Sequence, residues 1–199
     1  MEIKNLEFIH ITKTAGTSIE DWGYKNNILW SYRKRHHFEN RKQHYLHRGG
    51  SWHEPPRFFL DNPYKNKKTF TCVRNPYIRL ISEYYCPWTG SKNTQKHCKK
   101  EFNQWIINLI NKDNVVSGIP QYLYMPTDFI IKFESLQEDF TKLIHSFDSS
   151  LNTTLPHNNK SKYKLKKFSV NDLDKKTIQI INAKYEKDFN LFDYKMIPV

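Results

Sequence analysis

Residues 6–11, LEFIHI, alternate apolar and polar positions and predict a buried strand that runs into a turn. The pattern then changes period. Residues 17–29 predict a helix, with Ile19, Trp22 and Ile28 near one face and Thr17 or Ser18 as its cap. KTFTCV, residues 68–73, is the second clear strand. Asn75 suits the cap of the helix that follows, and Pro76 its first turn. Residues 101–111 predict an amphipathic helix, 128–133 a third strand, 135–147 another helix, and 172–189 a last helix with Ile178, Ile181, Tyr185 and Phe189 on its apolar side.

Strands alternating with helices predict an α/β fold with a central parallel sheet covered on both faces. Ligands in such sheets lie outside the carboxyl ends of the strands. Two turns fall there, KTAGTS at 13–18 and RNP at 74–76. Between them, residues 31–67 are polar, basic and histidine-rich, and predict a long loop of the kind that carries function. No internal repeat is present, and the chain reads as one domain over 1–199.

Composition narrows the chemistry. The chain has 199 residues and a net charge of +12, so an anionic partner is expected. No apolar run reaches the roughly 18 residues of a membrane span. No basic segment followed by an apolar one marks an export signal, so a soluble protein is expected, cytoplasmic by default. Three cysteines, Cys72, Cys86 and Cys98, are too few for a disulfide scaffold. Cys86 and Cys98 flank a loop that a disulfide could close; two free thiols is the plainer reading. No paired-cysteine spacing marks a zinc site.

At the first turn, backbone N–H groups of a helix N-terminus point outward and favour phosphate or sulfate. Ala15 and Gly16 let the backbone approach an anion closely, Thr14, Thr17 and Ser18 add hydroxyls, and Lys13 adds a cation. Alone, the turn also reads as a capped helix with a solvated lysine. The lysine comes first, unlike a nucleotide-kinase loop, where it is late. At the second turn, Arg74 can fork onto a phosphate. Ser82, two helical turns on, returns to the same face. Alone, this segment also reads as an ordinary capped helix with Arg79 on a solvated face. Together the turns suit a ligand with phosphates at both ends of a nucleoside.

HITKTAGTS resembles the 5′-phosphosulfate loop of sulfotransferases that use 3′-phosphoadenosine 5′-phosphosulfate (PAPS), and TFTCVRNPYIRLISEYY resembles their 3′-phosphate motif. Both are similar to the carbohydrate branch, the Golgi glycan and heparan sulfate O-sulfotransferases. DFIIKFESLQEDF, LPHNNKS and YEKDFNLFDY resemble later segments of the family in order. The resemblance implies a three-layer α/β/α fold related to the P-loop nucleoside kinases. It implies Lys13, Thr14, Ala15, Gly16, Thr17 and Ser18 around the phosphosulfate, Arg74 and Ser82 on the 3′-phosphate, and Asn159, Lys160 and Ser161 as further nucleotide contacts. PAPS would be the donor and its 3′,5′-bisphosphate, PAP, the product, with no metal. Golgi relatives carry a membrane anchor ahead of the domain, which this sequence as it stands lacks.

Sulfuryl transfer is an in-line displacement. Lys13 suits the charge that grows on the leaving oxygen. The acceptor hydroxyl needs a base, and histidine titrates in the right range. His53, in GGSWHEPPRFF, resembles the family's base; His36, His37, His44 and His47 share the loop, and Glu54 is a carboxylate alternative. His10, in the first strand, reads as packing or hydrogen-bonding there; His97, His145 and His157 read as ordinary packing or surface histidines. Arg33, Lys34, Arg35, Arg41, Lys42, Arg48 and Arg57 border His53 and suit an anionic acceptor. Tyr84, Tyr85 and Trp88 could stack on sugar faces, but such aromatics are more often half-buried packing. A glycan is the expected acceptor, with no nucleic acid. The alternatives are a protein tyrosine as acceptor, or a non-enzymatic basic module that binds nucleic acid or sulfated glycan.

Overall fold

A computed structural model describes residues 3–30, 53–58, 62, 64–92, 94, 96–112, 115–156 and 168–199. Asn159, Lys160 and Ser161, His36, His37, His44, His47 and His157, and the basic run from Arg33 to Arg48 lie outside them. The chain divides into two compact units. The first takes Met1–Val73 and Leu123–Asn159, the second Arg74–Tyr122 and Lys160–Val199.

The first unit holds a parallel sheet of three strands in the order β1 (Leu6–Ile9), β2 (Lys68–Val73), β3 (Phe129–Lys132). Ile9 pairs with Thr71 and Phe70 with Phe129, so all three strands end at one edge. Alternate residues Leu6, Phe8, Phe70, Cys72 and Ile131 turn one face into a core. Helices α1 (Gly16–Lys25) and α4 (Leu136–His145) supply Ile19, Trp22, Phe140 and Ile144 to it. The indole of Trp22 meets the ring of Phe140 edge-on at 5.0 Å. Trp30 Nε1 donates to the Leu6 carbonyl at 2.7 Å and so covers a backbone acceptor on β1. The described part of this unit therefore supplies one helical layer over a parallel sheet.

α1 is shorter than its sequence pattern predicts. It ends at Lys25, and Asn27 takes φ 59°. The Ile28 N–H then bonds the Gly23 carbonyl at 2.8 Å and the Asn27 N–H bonds that of Tyr24 at 3.1 Å. This is a Schellman closure, which folds Ile28 back onto the core instead of continuing the helix.

The second unit is helical: α2 (Pro76–Tyr84), α3 (Lys99–Ile110), α5 (Lys175–Lys184) and α6 (Glu186–Leu191). Its core joins Leu80, Tyr84, Phe102, Ile106, Ile181 and Phe189. Asn75 caps α2 as predicted, its Oδ1 accepting from the N–H of Tyr77 at 3.0 Å and of Ile78 at 3.4 Å. The single helix predicted over 172–189 is two helices, broken at Tyr185 (φ −110°, ψ 17°). Tyr185 is buried and donates to the Gly118 carbonyl at 2.8 Å. Burial raises its phenol above the usual range.

Tyr84 and Tyr85 belong to this core and cannot stack on a sugar; burial pushes the Tyr84 hydroxyl up to about 12. Trp88 is 88% exposed. Arg79 is not on a solvated face. It is 1% exposed, and its guanidinium donates to the carbonyls of Ile119 at 2.9 Å and Ser117 at 3.2 Å. All three cysteines are free thiols. Among the described residues no helix is long and apolar enough to cross a membrane.

Candidate functional site

The chain leaves β1 through His10 and reaches α1 through a tight turn. Lys13 (φ 65°) and Ala15 (φ 68°) both adopt the left-handed region. Non-glycine residues occupy it at a cost, and such strain gathers where a backbone must present itself to a ligand. The Thr14 hydroxyl donates to the Ile11 carbonyl at 2.8 Å. Thr14 is buried, and this bond holds the turn closed.

The cap also differs from the prediction. α1 begins at Gly16, so Thr17 and Ser18 lie within its first turn. Ala15 is the N-cap residue, and no side chain bonds the helix end. The Ala15 carbonyl accepts from Ser18 N–H at 2.9 Å. Thr17 is exposed and Ser18 half-buried. Ser18 lines a cleft of about 420 Å³ with Phe133, Ser135, Gln137, Leu155 and Pro156.

Gly16 has a steric reason. A Cβ there would fall 2.0 Å from His10 Nε2. The His10 ring fills the space a side chain would need. The imidazole is fixed from its other side, where Nδ1 lies 2.8 Å from Glu20 Oε1 and both residues are buried. A carboxylate accepts, so Nδ1 carries the proton in this contact. His10 is thus a buried, hydrogen-bonded residue, as its place after the strand predicts, while Glu20 had no sequence signal beyond its place on α1.

His53, distant in sequence, meets the same ring. The two imidazoles lie edge to face, with centroids 4.3 Å apart and planes at 83°. The His53 carbonyl accepts from Tyr124 Oη at 2.5 Å, which anchors the segment to the chain before β3. Arg57 Nη2 donates to the Met125 carbonyl at 2.8 Å. The first unit therefore brings Lys13, Gly16, Thr17, Ser18 and His53 around one turn, with His10 between. Glu54 is buried, and its Oε2 has no hydrogen-bond partner among the described residues.

The chain leaves β2 at Val73, and Arg74 opens the second unit. Arg74 precedes the cap of α2 and is 9% exposed; Ser82 sits half-buried on that helix. The Arg74 backbone is held by Gln121, which sequence reasoning missed. Among the described residues, no three His, Cys, Asp or Glu side chains are grouped to hold a metal ion.

No curated protein and no solved structure gives a significant match to the chain. A family description does match: "Sulfotransferase family", over residues 2–195. That span takes in the β1–α1 turn, His53 and the Arg74 segment together, so this chain belongs to the sulfotransferase family, whose chemistry is sulfuryl transfer.

Proposed function

We propose that this protein moves a sulfuryl group from PAPS to a hydroxyl of a carbohydrate, with Lys13 at the leaving oxygen and His53 as the base. The family generally uses PAPS and releases PAP. The turn fits such a donor: the end of α1 carries no side-chain cap, and two residues beside it are left-handed. Backbone N–H groups at a helix start suit a phosphosulfate.

One observation carries the assignment: His53 stands against His10, and His10 stands against Gly16 of the turn. A base is required beside the transferring group, and this histidine is beside the turn. In the step, the acceptor oxygen attacks sulfur while its proton passes to the His53 imidazole. The bond from sulfur to the bridging 5′-phosphate oxygen breaks, and the Lys13 ammonium stabilises the charge left there. Arg74 and Ser82 would take the 3′-phosphate. Arg74 follows directly on β2, and ligands of parallel sheets lie outside the carboxyl ends of the strands. The net charge of +12 suits an anionic glycan.

The test has two parts. PAP at a hundredfold excess over Kd should raise the unfolding free energy by about 2.7 kcal/mol. Labelled sulfate should then pass from PAPS to glycans rather than to tyrosine peptides. His53→Ala should abolish transfer and leave PAP binding near normal. Wild-type rates in that variant would remove His53 from the mechanism.

A further inference from the structure

Arg74 stands where β2 has ended and α2 has not begun, a position with no ladder of its own. A side chain supplies one. The Arg74 N–H donates to Gln121 Oε1 at 2.9 Å, and the Arg74 carbonyl accepts from Gln121 Nε2 at 2.8 Å. A primary amide carries donor and acceptor side by side, so one residue satisfies both backbone groups as a neighbouring strand would. Gln121 is 0% exposed.

Gln121 is itself fixed. Its N–H donates to Asp188 Oδ2 at 2.8 Å, and the next N–H, of Tyr122, donates to Asp188 Oδ1 at 2.8 Å. Gln121 Nε2 also lies 3.4 Å from Oδ2. Asp188 comes from α6 and is 0% exposed; burial pushes its carboxyl above the usual range, against the pull of these donors and of Arg79. Burying a carboxylate and an amide is costly unless each finds partners, and an apolar pair would fill the same volume more cheaply. What the polar pair adds is direction. It sets the backbone from which the Arg74 side chain departs, and a guanidinium held on a fixed stem loses less freedom when it grips an anion.

We propose that Gln121, held by Asp188, is a positioning residue that aims Arg74 and so sets how strongly the protein prefers nucleotides bearing a 3′-phosphate. This rests on the reading of Arg74 as the 3′-phosphate ligand. The measurement is the ratio of Kd for AMP to Kd for PAP, by calorimetry on the full chain, in wild type, Arg74→Ala, Gln121→Met, Gln121→Glu and the Arg74→Ala/Gln121→Met pair. Gln121→Met keeps the volume and loses both bonds. Gln121→Glu keeps the acceptor for the Arg74 N–H and serves if the first variant does not fold.

Arg74→Ala should bring the ratio down toward one. Gln121→Met should lower it about tenfold, through PAP alone, with AMP affinity within about twofold of wild type. The double variant should lose no more than Arg74→Ala, because Gln121 acts through Arg74. A wild-type ratio in both Gln121 variants, with Arg74→Ala impaired, overturns the inference and leaves the Arg74 reading intact. So does a double variant whose losses multiply, or an equal loss of AMP and PAP affinity. A wild-type protein that does not distinguish the two nucleotides, or an Arg74→Ala protein that distinguishes them normally, overturns the Arg74 reading itself.

Discussion

The two strand-to-helix turns solve the same problem of a helix start in opposite ways. After β2, Asn75 takes the N–H groups of Tyr77 and Ile78, and Pro76 has none to give. That end of α2 is closed, so in the proposed reading the 3′-phosphate is held by side chains, Arg74 and Ser82. After β1, the cap position is Ala15 and no side chain bonds the start of α1. That end presents backbone, on a turn with two strained residues, braced from beneath by His10 and Glu20. In the proposed reading, the difference teaches that a charged group undergoing reaction suits exposed backbone and one cation, whereas a spectator phosphate suits side chains aimed by a buried network.

The comparison breaks first at Lys13. Lys13→Ala should lower kcat by about 10²–10³ while PAP affinity changes little, because a cation at the leaving oxygen acts mainly in the transition state. Steady-state rates beside calorimetry decide it, and a loss confined to affinity would put Lys13 in binding alone. Next is Gly16→Ala. Its methyl meets the pinned His10 ring, so the protein should lose about 1–3 kcal/mol of stability. Denaturant unfolding reads the loss. Adding His10→Ala should recover part of it, and no recovery would mean that the ring is not what excludes the methyl.

Asn75→Ala should cost about 1 kcal/mol, the ordinary value of a helix cap. PAP affinity should hold, since the proposed 3′-phosphate ligands are Arg74 and Ser82, not the cap. A matching affinity loss would show that this helix end also binds. The smallest effect is at the start of the sheet. The Lys68 ammonium, 2.7 Å away, and then the Thr69 N–H hold the Asp128 carboxyl below its ordinary 3.8. A depressed folded value means stability that is present above about pH 4 and lost as pH falls through the folded value. Both side chains are partly exposed, so solvent screening keeps the effect under about 1 kcal/mol. Asp128→Asn should flatten the acid limb of the stability profile between pH 5 and pH 2 by that amount, and an unchanged limb would assign it to other groups.

Much of this was legible in the chain because it is local. Alternation marked β1, short strand-like runs marked β2 and β3, and Asn75-Pro76 marked the start of α2, since capping depends on residues two or three apart. The order Lys13 to Ser18 after a strand and Arg74 after another marked the two candidate anion turns for the same reason. What misled was also local. Ile28 continued a helical period that Asn27 in fact ends, and Arg79 looked solvated though it is buried.

The sequence by itself determined most of the elements, the parallel sheet and the place of the basic turns, because hydrophobic period and backbone caps act over a few residues. Tertiary structure alone decided that His10 is clamped by Glu20 under Gly16, that His53 arrives beside it, and that Gln121 and Asp188 hold Arg74. Those contacts join residues far apart in the chain, and a buried hydrogen bond leaves no periodicity for a sequence to show.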